Sequence, residues 1–352
     1  MDIKGEHTLV REENAYLLEP RPYPELLSVV VPMYNEEPVV LHLREALTRF
    51  FADLRCDHEV ILVNDGSSDG TLRTIVHWAH EDSCIKVVNL SRNFGHQNAA
   101  TAGLDYASGD AVVLIDADLQ DPLPVISEMI NLYCEGYDVV YGRRVARSGE
   151  TSFKRLTAWL FYRLMRQIVY KALPLDAGDF RLMSRHCLNG LRQLRETHRF
   201  LRGMVTWIGY PQIAVTYERA PRVAGETKYP IARMLSFAWT AATSFSTLPL
   251  RFSIWIGITA TLLGFEEAVR ASLAHIFHWY AVPGWSSLTV LVSLLGGATL
   301  VSLGILGEYI GKLYEQSKGR PLYLVSRTVN IKHDKSLIGG AQNSEGALVH
   351  KI

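Results

Sequence analysis

The run "AVVLIDADLQDP" (111–122) sets five apolar residues directly before Asp116, Asp118, Gln120 and Asp121. Asp116 and Asp118 flank one small residue at the end of a buried strand, so both carboxylates can face a single crevice. Carboxylate and amide oxygens are hard ligands suited to Mg²⁺ or Mn²⁺, ions that keep positions open for substrate phosphates. An EF-hand calcium loop is excluded, because its sixth and twelfth positions fall on Asp121 and Ser127 instead of Gly and Glu. Asp121, placed before Pro122, also fits a cap on the following helix.

Two other apolar runs end in the same way. In "VVVPMYNEE" (29–37) the strand stops near Pro32, and Tyr34, Asn35 and Glu36 follow. An aromatic ring and an acid at a strand end can stack on a base and hydrogen-bond a ribose. Asn35 equally fits the N-cap of a helix starting at Glu37. In "VNDGSSDGT" (63–71) Asp65 closes the strand and is the better ligand candidate, while Ser68 or Asp69 suits the cap of the next helix.

The elements that must position these groups are legible between Leu26 and Arg144. "LLSVVVP", "HEVILVND", "IKVVNLS", "AVVLIDAD" and "YDVVYGRR" are short and rich in Val and Ile. Helix-length stretches separate them. Continuous apolar strands alternating with helices predict an α/β fold with a mostly parallel sheet covered on both faces. Ligands in such sheets gather outside the carboxyl ends of the strands, where each polar cluster sits.

The second half of the chain is written for a different solvent. "WSSLTVLVSLLGGATLVSLGILG" (285–307) is uncharged and long enough, at 1.5 Å per residue, to cross a ~30 Å hydrocarbon layer. "FSIWIGITATLLGF" (252–265) is too short alone and must continue through Glu266, Glu267 and Arg270 to span; otherwise it is an interfacial or re-entrant helix. The connector between them lacks Lys and Arg and both flanks are basic, which predicts a hairpin with both termini in the cytosol. The expected division is an N-terminal extension (1–25), a catalytic domain (26–228), a juxtamembrane helix (229–249), two transmembrane helices (about 250–277 and 285–310) and a cytosolic tail (312–352). The tail beyond Asn330 reads as disordered. The basic, aromatic-rich stretch 151–173 fits an interfacial amphipathic helix or a surface helix packed on the sheet.

Lys+Arg and Asp+Glu each total 36, so no global field recruits a polyanion, and no nucleic-acid partner is expected. Four scattered cysteines argue against a disulfide framework or a structural zinc site. Residues 1–24 show no signal-peptide pattern.

Taken together, "VPMYNEE", "VNDGSSDGT", "NLSRNFGHQNAATAGL" and "LIDADLQDP" resemble, in order and rough spacing, the inverting family 2 nucleotide-sugar glycosyltransferases of GT-A fold. Later segments, including "YGRR", "DAGDFRLMSR", "HRFLRG", "RVAGETKYP" and "GEYIGKLYEQSKGRPLYLV", resemble the polyprenyl-phosphate branch of that family. The Q-x-x-R-W of processive synthases is not found. The resemblance implies that Pro32, Tyr34, Glu36, Asp65 and Asp116 hold the nucleotide, and that Asp116, Asp118 and Gln120 hold Mg²⁺ or Mn²⁺. It implies Asp179 as the acid nearest the reacting centre; a salt bridge to Arg181 or Arg185 is the other reading. Arg143, Arg144, Lys154, Arg155, Arg222 and Lys228 are the candidates for the acceptor phosphate. The implied partners are a nucleotide sugar, foremost UDP-glucose, a polyprenyl phosphate and a membrane. GDP-mannose or a UDP-amino-arabinose derivative remain as donors, and a homotetramer as the assembly that could bury the charges of the first span. A nucleotide-sensing subunit of a transporter or flippase is the alternative from another class.

Overall fold

A computed structural model describes residues 18–144, 177–218, 248–277 and 285–331. The basic stretch 151–173, Lys154, Arg155, Arg222, Lys228, the juxtamembrane stretch up to residue 247 and the tail from residue 332 lie outside the described residues.

The expected alternation is present. It runs β1 (Leu26–Met33), α1 (Glu37–Ala52), β2 (Asp57–Asn64), α2 (Thr71–Glu81), β3 (Ile85–Leu90), α3 (His96–Tyr106), β4 (Ala111–Leu114), α4 (Pro124–Cys134) and β5 (Val139–Arg144). Then follow β6 (Ala177–Ser184), α5 (Arg185–Gln193), α6 (Leu201–Ile208) and β7 (Gln212–Tyr217). The sheet order is β7-β5-β6-β4-β1-β2-β3-β8, with β8 being Val325–Val329. β1 pairs in parallel with β2 and β4, β2 with β3, and β5 with β7; β6 and β8 run antiparallel to their neighbours.

Successive strand residues point to opposite faces, and both faces are dry. Leu27, Val29, Val31, Val60 and Leu62 pack beneath Val40, Leu43 and Leu47 of α1, Ile75 and Trp78 of α2, and Ile126 and Met129 of α4. Val30, Ile61, Val63, Val88, Val112 and Leu114 pack against α3, α5 and α6 through Ala99, Ala102, Leu188 and Met204. Each fully buried aliphatic side chain contributes roughly 1.5–3 kcal/mol. α3 lies very close to the sheet: a Cβ at Gly103 would stand 2.3 Å from Val30 Cγ1. This explains its run of small residues, Ala99, Ala100, Ala102 and Gly103.

Two long helices follow, α7 (Leu248–Ile276) and α8 (Trp285–Ser317). They contain apolar stretches, Leu248–Glu266 and Leu294–Ser317, long and apolar enough to cross a membrane, and only 6% and 0% of these are buried within the protein. α7 passes unbroken through Glu266, Glu267 and Arg270. α8 and its apolar stretch both end at Ser317, and the chain then returns to the sheet. Residues Val325–Val329, expected to belong to a tail, pair as β8 with β3. Asn330, with φ 57°, donates from Nδ2 to the carbonyls of Ala79 and Ile85 at 2.5 and 2.8 Å.

The cysteines are free, in keeping with their scatter.

Candidate active site

After β1 the chain moves outward through β2 and β3, then returns to place β4 on the other side of β1. The loops after β1 and β4 therefore diverge and open a crevice at the carboxyl ends of the strands. The β6 register completes it. Leu114 pairs with Arg181, so Asp179 stands opposite Asp116 two residues beyond the end of β4.

The loops after β1 and β2 are fastened to one another. Asn35, at φ 55°, receives the Ser68 N–H on Oδ1 at 2.8 Å and donates its own N–H to Ser67 Oγ at 3.0 Å. It therefore does not cap α1, whose N-cap position is Glu36 with no side-chain cap bond. The N-cap position of α2 is Gly70, with no side-chain cap bond, so neither Ser68 nor Asp69 takes the expected capping place; Asp69 instead accepts the Thr71 N–H at 3.0 Å from one position earlier. Tyr34 projects with 48% of its surface exposed, whereas Pro32 is buried within β1.

Asp65 is 3% exposed, and its two oxygens accept the backbone N–H groups of Phe94 and Gly95 at 2.7 and 2.9 Å. Burial raises its pKa despite those bonds. The carboxylate thus ties the β2 loop to the loop that opens α3. Gly66 (φ 66°) sits in the same seam, where a Cβ would stand 2.5 Å from the backbone of Arg92 and Asn93.

In the central run, Asp116 and Asp118 are half-buried and Gln120 and Asp121 are buried. Burial, opposed by His96 but reinforced by Asp179, Asp121 and Asp118, pushes Asp116 up to about 6. Asp118 Oδ1 accepts the Gln120 N–H at 3.2 Å. Asp121 serves the scaffold: it accepts from Tyr217 OH, with Arg144 Nη2 3.9 Å away, and α4 has no side-chain cap. Arg144 Nε also donates to Tyr217 OH at 3.3 Å, while Arg143 lies beside it on β5, paired in register with Ala177 and Thr216.

Asp179 is the most strongly held group. Arg202 Nε donates to Oδ1 at 2.7 Å, Gln97 Nε2 to Oδ2 at 3.3 Å, and His96 Nε2 lies 3.3 Å from Oδ2. Burial favours the neutral acid, yet His96 and Arg202 outweigh it and hold Asp179 well below the usual carboxylate range. Burial pulls the His96 pKa down, but Asp179 and Asp116, the latter 3.6 Å away, hold it above the ordinary imidazole value. In the alternative reading Asp179 would pair with Arg181 or Arg185; Arg181 lends it only a nearby charge, and the hydrogen bonds of both arginines go to backbone carbonyls. Arg181 donates to the carbonyls of Asp179 and Gly178, and Arg185 to those of Ala107 and Gly109. Sequence reading missed His96, Gln97 and Arg202 as neighbours of Asp179. The first two open α3 directly after Gly95, which is the one local signal that pointed to them.

Among the described residues no group of three or more His, Cys, Asp and Glu is placed to hold a metal ion by itself. Asp116 and Asp118 instead form an open pair, crowded by Asp121 and Asp179. That donor set fits a hard divalent ion that completes its shell with phosphate oxygens and water.

A carboxylate pair at the switch point of such a sheet, faced by a third acid across the crevice, is an arrangement that can take a phosphorylated ligand together with a divalent ion. The chain belongs to glycosyl transferase family 2, whose family model matches residues 28–191. It is 43% identical over 308 residues, 88% of this chain and 95% of the relative, to an uncharacterized glycosyltransferase, YkcC, of Bacillus subtilis (strain 168). It is 38% identical to the bactoprenol glucosyl transferase of Shigella phage SfV, covering 85% of this chain and 97% of that one. Among solved structures it is similar to glucosyl-3-phosphoglycerate synthase from Mycobacterium tuberculosis in complex with Mn²⁺, UDP and glucosyl-3-phosphoglycerate. That similarity has 22% identity and a TM-score of 0.41, over 68% of this chain and 81% of the other.

Proposed function

We propose that this glycosyltransferase moves a hexose, glucose from UDP-glucose, onto a polyprenyl phosphate such as undecaprenyl phosphate. The observation that carries this reading is the pair Asp116 and Asp118 facing Asp179, on a chain that also has two lipid-length apolar helices. Similarity along most of the chain to bactoprenol glucosyl transferases supports the acceptor class.

In this reading the nucleotide lies over the β1 and β2 loops. Tyr34 stacks on the base, Glu36 and Asp65 line the nucleoside pocket beyond Pro32, and Asp116 lies by the ribose. Bound at Asp116 and Asp118, with Gln120 alongside, Mg²⁺ or Mn²⁺ supplies Lewis-acid stabilisation of the departing diphosphate. The acceptor phosphate is already anionic and needs no strong base. Its oxygen attacks the anomeric carbon from the face opposite the diphosphate; the new C–O bond forms as the old one breaks, with inversion. Asp179, kept ionised by Arg202 and His96, orients the sugar or the incoming phosphate. Arg143, Arg144, Lys154, Arg155, Arg222 and Lys228 supply the positive charge that lets two anions approach. Most of the rate then comes from alignment and charge stabilisation. The catalytic domain and both chain ends face the cytosol, and α7 and α8 form the hairpin. Association of copies in the membrane, as a tetramer, belongs to the same proposal.

The test is to incubate full-length protein in vesicles with UDP-[¹⁴C]glucose, Mn²⁺ and undecaprenyl phosphate. Label extracted into organic solvent is the expected result. Label that stays aqueous with UDP-glucose, while GDP-mannose or a UDP-amino-arabinose donor transfers, would reassign the sugar. No transfer from any donor would overturn the enzyme reading in favour of a nucleotide-sensing subunit.

A further inference from the structure

α8 ends against the catalytic domain. The Oε1 of Gln316 accepts the Thr197 N–H at 2.7 Å, and its Nε2 donates to the Arg195 carbonyl at 3.4 Å. One residue earlier, Glu315 Oε2 lies 2.8 Å from His198 Nε2. Residues 194–200 form the loop between α5 and α6, and α6 begins at Leu201. The first residues of α6 carry the grip on Asp179. The Leu201 N–H donates to Gln97 Oε1 at 2.9 Å, Gln97 Nε2 reaches Asp179 Oδ2, and Arg202 holds Asp179 Oδ1. The contact route from the last turn of the apolar helix to the carboxylate at the crevice therefore runs through residues 197–202.

That loop has little freedom to absorb a movement. Arg195 makes a two-pronged contact with Asp105, at 2.7 and 3.0 Å. Asp105 also accepts from the hydroxyl of Tyr323, which follows α8 in the chain, at 2.7 Å. Arg199 Nη1 donates to the Leu194 carbonyl at 2.6 Å, closing the loop on itself. Past Tyr323, the Ser91 N–H donates to the Leu324 carbonyl at 2.9 Å before β8 joins the sheet. α8 is thus seated on both sides of its end, by the 195–198 loop and by the segment that continues it.

We infer that Gln316 and Glu315 are positioning residues: the end of α8 holds the 195–198 loop so that Arg202 and Gln97 present Asp179 to the crevice. The carboxylate then has its working orientation only while the apolar helix is seated. A coupling of this kind needs an element whose displacement alters both ends, and the short rigid loop is that element. The inference rests on the proposed role of Asp179 at the reacting centre.

The experiment uses the full chain in vesicles and two variants. Gln316→Leu keeps the bulk and removes both hydrogen bonds, whereas Gln316→Glu keeps the acceptor for the Thr197 N–H. Gln316→Leu is expected to lower kcat by about tenfold with the donor KM changed less than about twofold. Gln316→Glu should recover most of that loss. In an Arg202→Lys background, Gln316→Leu should cost no more than about twofold further, because both changes act on one carboxylate. Amide exchange of Thr197 and Leu201, read by hydrogen–deuterium exchange without substrate, should quicken in Gln316→Leu. Unchanged kcat, equal loss in both Gln316 variants, or full additivity with Arg202→Lys would each overturn the inference. If the unaltered protein transfers no sugar, the functional reading fails by itself. The exchange data then decide the link: faster exchange at Leu201 supports it, and unchanged exchange overturns it.

Discussion

Arg202 Nε donates to Asp179 Oδ1 at 2.7 Å, across a sequence separation that joins the start of α6 to the first half of β6. The pair is nearly dry on the acid side, with the Asp179 side chain 8% exposed and Arg202 35% exposed. Removing the cation leaves, among the described residues, a buried carboxylate beside His96 and Gln97 with the more distant charge of Arg181. Arg202→Gln is therefore expected to lower kcat by about a hundredfold, and Arg202→Lys, which keeps the charge and loses the planar geometry, by about tenfold. Steady-state kinetics of glycolipid formation checks both. A fall in donor affinity without a fall in kcat would place Arg202 on the nucleotide side.

Asp118 and Asp121 stand three residues apart and should fail in different ways. Asp118 is half-buried at the crevice, and Asp118→Ala is expected to reduce turnover by about a thousandfold with little change in thermal midpoint. Asp121 is buried against Tyr217 and Arg144. Asp121→Ala strips a buried pair of its partner and should cost about 3 kcal/mol of stability. Thermal melts and activity measured on the same two preparations separate these outcomes.

Gly66→Ala tests the seam between the β2 and β3 loops. The backbone is at φ 66°, and the added methyl would meet the Arg92 and Asn93 backbone at 2.5 Å. A loss of about 2 kcal/mol or more is expected, because backbone cannot rotate away as a side-chain tip can. Denaturant melts measure it. Nucleotide titration should show weaker binding as well, since Asp65 holds the same seam.

Cys187 is fully buried at the start of α5, and burial, with Asp138 adding to it, pushes the thiol up to about 12. The reactive form is the thiolate, so Cys187 should resist iodoacetamide at pH 8 in the folded protein and react on unfolding. Mass spectrometry of alkylated peptides checks this. Labelling of native Cys187 as fast as Cys56, which is only partly buried, would contradict it.

The parallel half of the sheet was legible because its strands are apolar on both faces and end in abrupt polar runs. β6 was not read as a strand because it carries Asp179, Arg181 and Ser184, which look like loop chemistry. Arg181 is 4% exposed on that strand and is accommodated by backbone carbonyls that no local pattern announces. β8 is five residues long, with Ser, Arg and Thr at its centre, and follows a lipid-length helix, so its composition reads as tail. The carboxylates of the site were visible as types at strand ends. Their partners were not, because His96 and Arg202 meet Asp179 only through the antiparallel register of β6 and the packing of α6.

The return of β8 also decides what the sheet can offer to other chains. β3 would otherwise present a bare row of amides and carbonyls, the surface on which strands of separate molecules zip together. Val325–Val329 occupies that row. The border thereby passes to β8, a strand of only five residues with the exposed charge of Arg327 at its centre, a short and charged edge that discourages pairing by another chain.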